Sequence, residues 1–470
     1  MKLFMKIFVF ISIGGLIFFE TLNILSPKHI SGIQNMDMFY SLTDNSVDVI
    51  MLGSSRQFVS IDPALLYKER GIAAFTLGGA DQPLWNSYYF LKEALKSQKP
   101  KLVALEVSSC AMGEYGIYGY VLYNVSGIKS PVNRLEAVMA SVQSEQWIPY
   151  FLAFPVYHDR YSTLTQEDFL KYRGRKELEY YLGHNTHYQT VPIEKPEIEE
   201  SVAKISLPEK SEKYLKRIIE LCEENDIELF FFVSPEEDYP LLSGCLESIK
   251  TIADNNNIMY IDFNKHYEEM RLDFSKDFAS GLHLNQNGCP KYSKYFTECL
   301  DNIYNLPDRR GDSEYKLWED AVKFSEQSVI DYEMGQQMTF EEHVSSIFRN
   351  NKHMIDFIWT TDDLSEDFSS YLSSIGIDQE LSLYTFEGMQ YRPVDVTKNL
   401  YMDFGMDVYT LNSQGADCNT EKLFDEEGNV ASMTFDTYSM KLIDVCIYDE
   451  NGNAVERPVT IYLNAILTGG

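Results

Sequence analysis

From residue 47 onward, short and nearly continuous apolar runs alternate with amphipathic stretches, and this alternation organises the first two thirds of the chain. The runs Val47–Leu52, Ala73–Leu77, Leu102–Val107, Leu229–Ser234 and Met259–Asp262 read as strands. Strands of a parallel sheet are buried on both faces, so they lose the polar–apolar alternation of a half-exposed strand. Helical periodicity appears between them over Leu84–Ser97, Ser211–Asn225 and Leu242–Asn256, and after the last strand over Pro290–Tyr304. Ser211 is placed to cap one helix, and Pro290 suits a first helical turn. Strands alternating with helices predict a three-layer α/β domain with a parallel sheet. Residues 112–209, rich in tyrosine and charge, form a long insertion between the third and fourth strands, a usual place for substrate recognition.

Lys2 and Lys6 precede an apolar stretch, Ile7–Phe19, that Leu22, Ile24 and Leu25 extend. A basic start before an apolar run predicts a signal or anchor segment. No small-x-small cleavage site follows, so the pattern favours an uncleaved single-pass helix over residues 1–27, with the rest of the chain outside the cytoplasm. The α/β domain is expected over 28–320. From 321 to 470 a linker helix leads into an α+β accessory domain. There Met354–Thr360, Asn399–Leu411, Val430–Thr437, Leu442–Asp449 and Val459–Leu467 read as strands, Leu364–Ile375 as a helix, and Asp449–Asn453 as a hairpin turn. These short strands are similar in shape to carbohydrate-associated modules.

A chain of 470 residues with 44% hydrophobic content has ample material for two or three packed domains. Seventy-one acidic residues against 40 basic ones give a formal charge of −31, which argues against nucleic acid as a partner. The same charge repels a bare polyanion unless a local basic patch or a metal intervenes. Seven cysteines are scattered without a CxxC pair, signalling neither a disulfide framework nor a zinc site. His184-x-x-His187 is at most half of a metal site, and neither metal nor cofactor is expected.

Gly53-Ser54-Ser55-Arg56 follows the first strand directly, and His283-Leu284-Asn285 stands just before a helix more than two hundred residues later. A serine on a strand-to-loop turn and a distant histidine make an activated nucleophile if the fold unites them. Ser55, Gly78, Ser108 and Ser234 all fall at the carboxyl ends of expected strands, where open α/β sheets bind ligands.

The segment Asp277–Gly288, containing Asp277, His283-Leu284-Asn285 and Gly288, resembles the last conserved block of SGNH (GDSL-like) hydrolases. The likeness is to the branch containing the teichoic-acid D-alanine transfer protein DltD and polysaccharide O-acetylation proteins. Similar stretches are Thr76–Gln82, Pro100–Val107, Tyr157–Tyr161 and Leu306–Asp312, so the resemblance spans roughly residues 45 to 320. It implies a flavodoxin-like SGNH domain, with Ser55 as nucleophile, His283 as base, and Gly78, Gly79 and Asp81 near the oxyanion hole. It further implies an extracytoplasmic esterase or acyltransferase at the bacterial surface. Its substrate would be a cell-wall or secreted polysaccharide, and it would work beside a multi-spanning membrane acyltransferase. Ser280 stands where the orienting acid belongs, leaving Asp277 as the nearest carboxylate, and the asparagine of the third block has no counterpart. His158 and Arg160 are candidates for substrate contact. The alternative is a weak or inactive SGNH-fold scaffold or glycan-binding protein.

Overall fold

The computed structural model describes residues 2–334 apart from 27–30, 118, 165–168, 170–179, 199–201 and 238, and chiefly strands thereafter. Contacts gather the chain into two units, Met1–Ser325 and Glu326–Gly470.

The first unit is built on five strands: β1 (Val49–Gly53), β2 (Ala74–Gly78), β3 (Leu102–Glu106), β4 (Glu228–Val233) and β5 (Met259–Asp262). All neighbours pair in parallel, in the order β2-β1-β3-β4-β5. Every residue of β1, β2 and β3 is buried, which is why those strands read as unbroken apolar runs. Successive side chains leave a strand on opposite faces. Ile50, Leu52, Val103 and Leu105 therefore join the core under the helices Leu84–Ala94, Glu209–Glu224 and Tyr239–Asn255. Val49, Met51, Leu102 and Ala104 pack on the other face against Pro63–Arg70 and Gly288–Ile303. The result is a three-layer α/β unit. β1 lies between β2 and β3, so the winding reverses there and opens a crevice beyond the ends of β1 and β3.

Ser211 is not a cap. Its helix begins at Glu209, and the buried Ser211 hydroxyl donates to the Met112 carbonyl, tying helix to insertion. The helix Lys2–Leu25 contains the stretch Met5–Leu22, of mean hydropathy 1.8 and with none of it buried, long and apolar enough to cross a membrane. The insertion carries the helices Gly119–Val125, Pro131–Ser141, Trp147–Leu152 and Phe154–Tyr157.

The helix Lys316–Met334 begins as part of the first unit: Trp318 is fully buried and its indole donates to the Ala74 carbonyl at 2.8 Å. Trp318→Ala should cost about 3–5 kcal/mol, because it leaves a large cavity and a carbonyl without its donor. Urea denaturation of the variant measures it.

In the second unit two antiparallel sheets are described. One orders the strands Gln390–Pro393, Ser382–Glu387, Met354–Trp359, Val430–Asp436 and Lys441–Tyr448, and the other Gly415–Ala416, Asp407–Asn412, Leu400–Phe404 and Leu463–Ile466. The single strand expected over Asn399–Leu411 is instead a hairpin, Leu400–Phe404 against Asp407–Asn412. The turn expected over Asp449–Asn453 lies almost wholly outside the described residues. The strand before it pairs with Val430–Asp436, whereas Leu463–Ile466 belongs to the other sheet. The helix expected over Leu364–Ile375 falls almost wholly outside the described residues.

Candidate active site

Ser55 opens a four-residue helical turn, Ser55–Phe58, immediately past β1. Gly53 is needed there for close approach rather than for a left-handed backbone. A Cβ on it would sit 2.7 Å from the Glu106 Cβ and 2.8 Å from the Gln57 Cβ. The first N–H bonded within the turn is that of Gln57, onto the Ser54 carbonyl. Ser55 thus presents its hydroxyl and its own N–H at the end of the strand, as the leading residues of a helical turn do.

His283 arrives on a small hairpin, β6 (Phe278–Ser280) and β7 (His283–Leu284). Asn285 pins this hairpin: its side-chain amide donates to the Lys276 and Phe278 carbonyls, and its oxygen accepts from the N–H groups of Asn287 and Gly288. The Glu237 N–H donates to the Gly281 carbonyl at 2.6 Å, fastening the hairpin to the loop after β4. The imidazole is thereby delivered with Nε2 at 2.8 Å from Ser55 Oγ and Nδ1 at 3.0 Å from Ser280 Oγ. These two positions, 228 residues apart in sequence, form a hydrogen-bonded pair at the carboxyl end of the sheet.

A hydroxyl at Nδ1 differs chemically from a carboxylate. A carboxylate only accepts, so it enforces the Nδ1–H tautomer and leaves Nε2 free to take a proton. Ser280 can donate or accept, so it tolerates both tautomers. It also offers no negative charge to an imidazolium. Burial, with the neighbouring His187 and Arg56, lowers the His283 pKa to about 4. His283 is therefore neutral at physiological pH, available as a base but a weak one.

Asp277 does not fill the gap. Its buried carboxylate accepts from Lys291 Nζ at 2.6 Å and from the Asp273 N–H at 2.7 Å, and both imidazole nitrogens of His283 face serines. Gly78 lies beside Gly53 in the sheet, and the Gly79 N–H is directed at the Gly53 carbonyl at 3.4 Å. Asp81 adopts a left-handed backbone, φ 51°, and its carboxylate accepts from the N–H groups of Gly116 and Ile117. The exposed His158 pairs with Asp159 at 2.9 Å, and Arg160 donates to the Leu25 carbonyl at 2.6 Å. That contact ties the insertion to the end of the N-terminal helix.

Four residues around Ser55 and His283 were not read from the sequence as part of a Ser-His site. Arg56 Nε is 2.5 Å from Glu236 Oε2, and Glu236 is fully buried. Glu106, also fully buried, holds Ser108 through Oγ at 2.8 Å and N–H at 3.1 Å. Burial raises its pKa, against the pull of Arg56. His187 stands edge-on to His283 with ring centroids 5.3 Å apart, and its pKa is lowered by burial and by His184. It is brought there by the end of the insertion, where the Gln286 N–H donates to the His187 carbonyl and the Val191 N–H to Phe278. The one available signal was Glu106 itself, an acid closing an otherwise apolar strand. Among the described residues no three His, Cys, Asp or Glu side chains converge as metal ligands.

The sequence matches no protein-family description and no curated protein. Among solved structures, the chain is similar to a Bacteroides fragilis protein assigned as an acylhydrolase, at 11% identity and a TM-score of 0.30. The match covers 57% of this chain and 93% of that one.

Proposed function

We propose that this protein is a membrane-anchored, extracytoplasmic serine esterase or O-acyltransferase of the SGNH type. The observation that carries the reading is the 2.8 Å contact between Ser55 Oγ and His283 Nε2 at the end of the parallel sheet. Ser55 Oγ attacks an ester carbonyl while its proton passes to Nε2, and the oxyanion is met by backbone N–H groups at the start of the Ser55 turn. The protonated His283 then gives its proton to the departing alcohol. Water or a hydroxyl of a second molecule resolves the acyl-serine, giving hydrolysis or transfer respectively. The block order supports a cell-wall or secreted polysaccharide as acceptor, with a multi-spanning acyltransferase as donor-side partner. The charge of −31 favours a neutral acceptor over a polyanionic one.

Ser280 supports a second reading, a surface scaffold or glycan-binding protein that has kept the pair but lost its orienting acid. A fluorophosphonate probe separates the two. The first reading expects labelling of the native protein that disappears in Ser55→Ala and in His283→Ala. An unlabelled, folded wild-type protein would transfer the case to the scaffold.

A further inference from the structure

We propose that the insertion helices Trp147–Leu152 and Phe154–Tyr157 lie in the headgroup region of the same membrane that holds Lys2–Leu25, so that the insertion is a membrane-seated platform for the Ser55 site. This rests on the anchor reading above and adds a second, peripheral contact with the bilayer.

The argument starts at the end of the N-terminal helix. Leu25 is buried in a small cluster with Leu122, Ala153 and Tyr157, with Leu22 and Tyr150 packed alongside. Arg160 donates to the Leu25 carbonyl at 2.6 Å. The last turn of the membrane-length helix and the segment 147–160 are therefore one packed assembly. Any bilayer that covers Met5–Leu22 must end within a turn or so of Leu25, because the hydrocarbon core is about 30 Å thick and a helix rises about 1.5 Å per residue. Side chains attached to Leu22 and Leu25 are consequently at the membrane boundary.

What those insertion helices expose suits that boundary. Ile148 is 71% exposed, Val156 43% and Leu152 38%, in a chain whose surface is otherwise strongly acidic. The adjoining helix Pro131–Ser141 adds Val132, 67% exposed, and Met139 one turn-pair further along. Trp147 and Tyr150 are half-buried beside them, and amphipathic aromatic rings concentrate where hydrocarbon meets water. Short amphipathic helices with such a face bury it several ångströms into the interface. The net charge disfavours attraction to anionic lipid as the driving force, so the contact rests on the apolar face and should be insensitive to salt.

The test uses the full-length chain reconstituted in phosphatidylcholine vesicles, with or without bromine on the acyl chains. Ile148→Trp places a reporter on the proposed face. Ile205→Trp places one at another exposed site, 55% exposed and packed on Gly244 of the helix Tyr239–Asn255 rather than on the helices 147–157. The added emission of Ile148→Trp should be quenched roughly twofold by brominated lipid at both low and high salt, and that of Ile205→Trp should not. Resistance to alkaline carbonate extraction, measured in parallel, reports the anchor separately. Carbonate-resistant protein with unquenched Ile148→Trp overturns the platform and leaves the anchor standing. Extraction by carbonate overturns the anchor, and the platform with it. Unquenched protein in which Ile148→Cys forms cross-linked dimers would assign the face to a second copy and also overturn the proposal.

Discussion

Ser280→Asp is expected to raise turnover of a small aryl ester by on the order of 10²-fold or more, since removing the acid from a complete triad costs about 10⁴. It should also move the acid limb of the kcat/KM profile upward from about pH 4, where His283 now titrates. The sign follows from the base. Catalysis needs neutral imidazole, so activity falls as pH drops through the His283 pKa. A carboxylate 3.0 Å from Nδ1 would stabilise imidazolium and raise that pKa towards its ordinary value. It would also hold the proton on Nδ1, leaving Nε2 to accept from Ser55. The rate gain and the pH shift therefore come together or not at all. Unchanged rate and an acid limb still near pH 4 would mean that Ser280 does not face Nδ1 in solution. Ser55→Ala in the Ser280→Asp background should abolish the gain, which excludes turnover by water alone. Asp277→Asn should leave the rate nearly unchanged, because Asp277 serves Lys291 rather than the imidazole.

The parts of this site that were legible in the sequence share one property: they follow from position along the chain. β1 to β4 could be placed within a residue or two because strands buried on both faces have few polar positions to interrupt the run. Ser55 and His283 could be named because one closes a strand and the other lies in a recognisable block. What sequence could not supply was three-dimensional choice among similar groups. Asp277 and Ser280 are three residues apart on one hairpin, and only the fold decides which of them meets Nδ1. Lys291, one helix turn past Gly288, was the unseen competitor for the carboxylate. Arg56 and Glu236 are 180 residues apart, so nothing local announces their pairing. In the second unit, Gly405 was the signal in the sequence that the run Asn399–Leu411 holds two strands, Leu400–Phe404 and Asp407–Asn412.

Glu236→Ala is expected to destabilise the first unit by about 3 kcal/mol, the low end for removing one partner of a buried ion pair. The low end applies because Arg56 remains one-fifth exposed and retains some access to water. Glu236 is also wired into the loop after β4, where its N–H donates to Asn264 Oδ1 at 2.9 Å and Tyr267 donates to its carbonyl. These backbone bonds survive the substitution, so the loss reports the side chain. Beyond stability, the change leaves the Arg56 charge less neutralised beside His283 and Glu106. A stronger positive field lowers the His283 pKa further and favours ionised Glu106. Glu236→Gln keeps an acceptor for Arg56 Nε and should lose much less stability, while producing the same electrostatic shift. Urea denaturation gives the first quantity, and the His283 Cε1–H proton resonance followed against pH gives the second. Replacing both partners, Arg56→Met with Glu236→Leu, removes the charge altogether and should recover most of the lost stability, since an apolar pair of similar volume needs no desolvation. It should also raise the His283 pKa above that of the wild type. A double variant no more stable than Glu236→Ala would show that the pair is held for packing at the loop rather than for its charge.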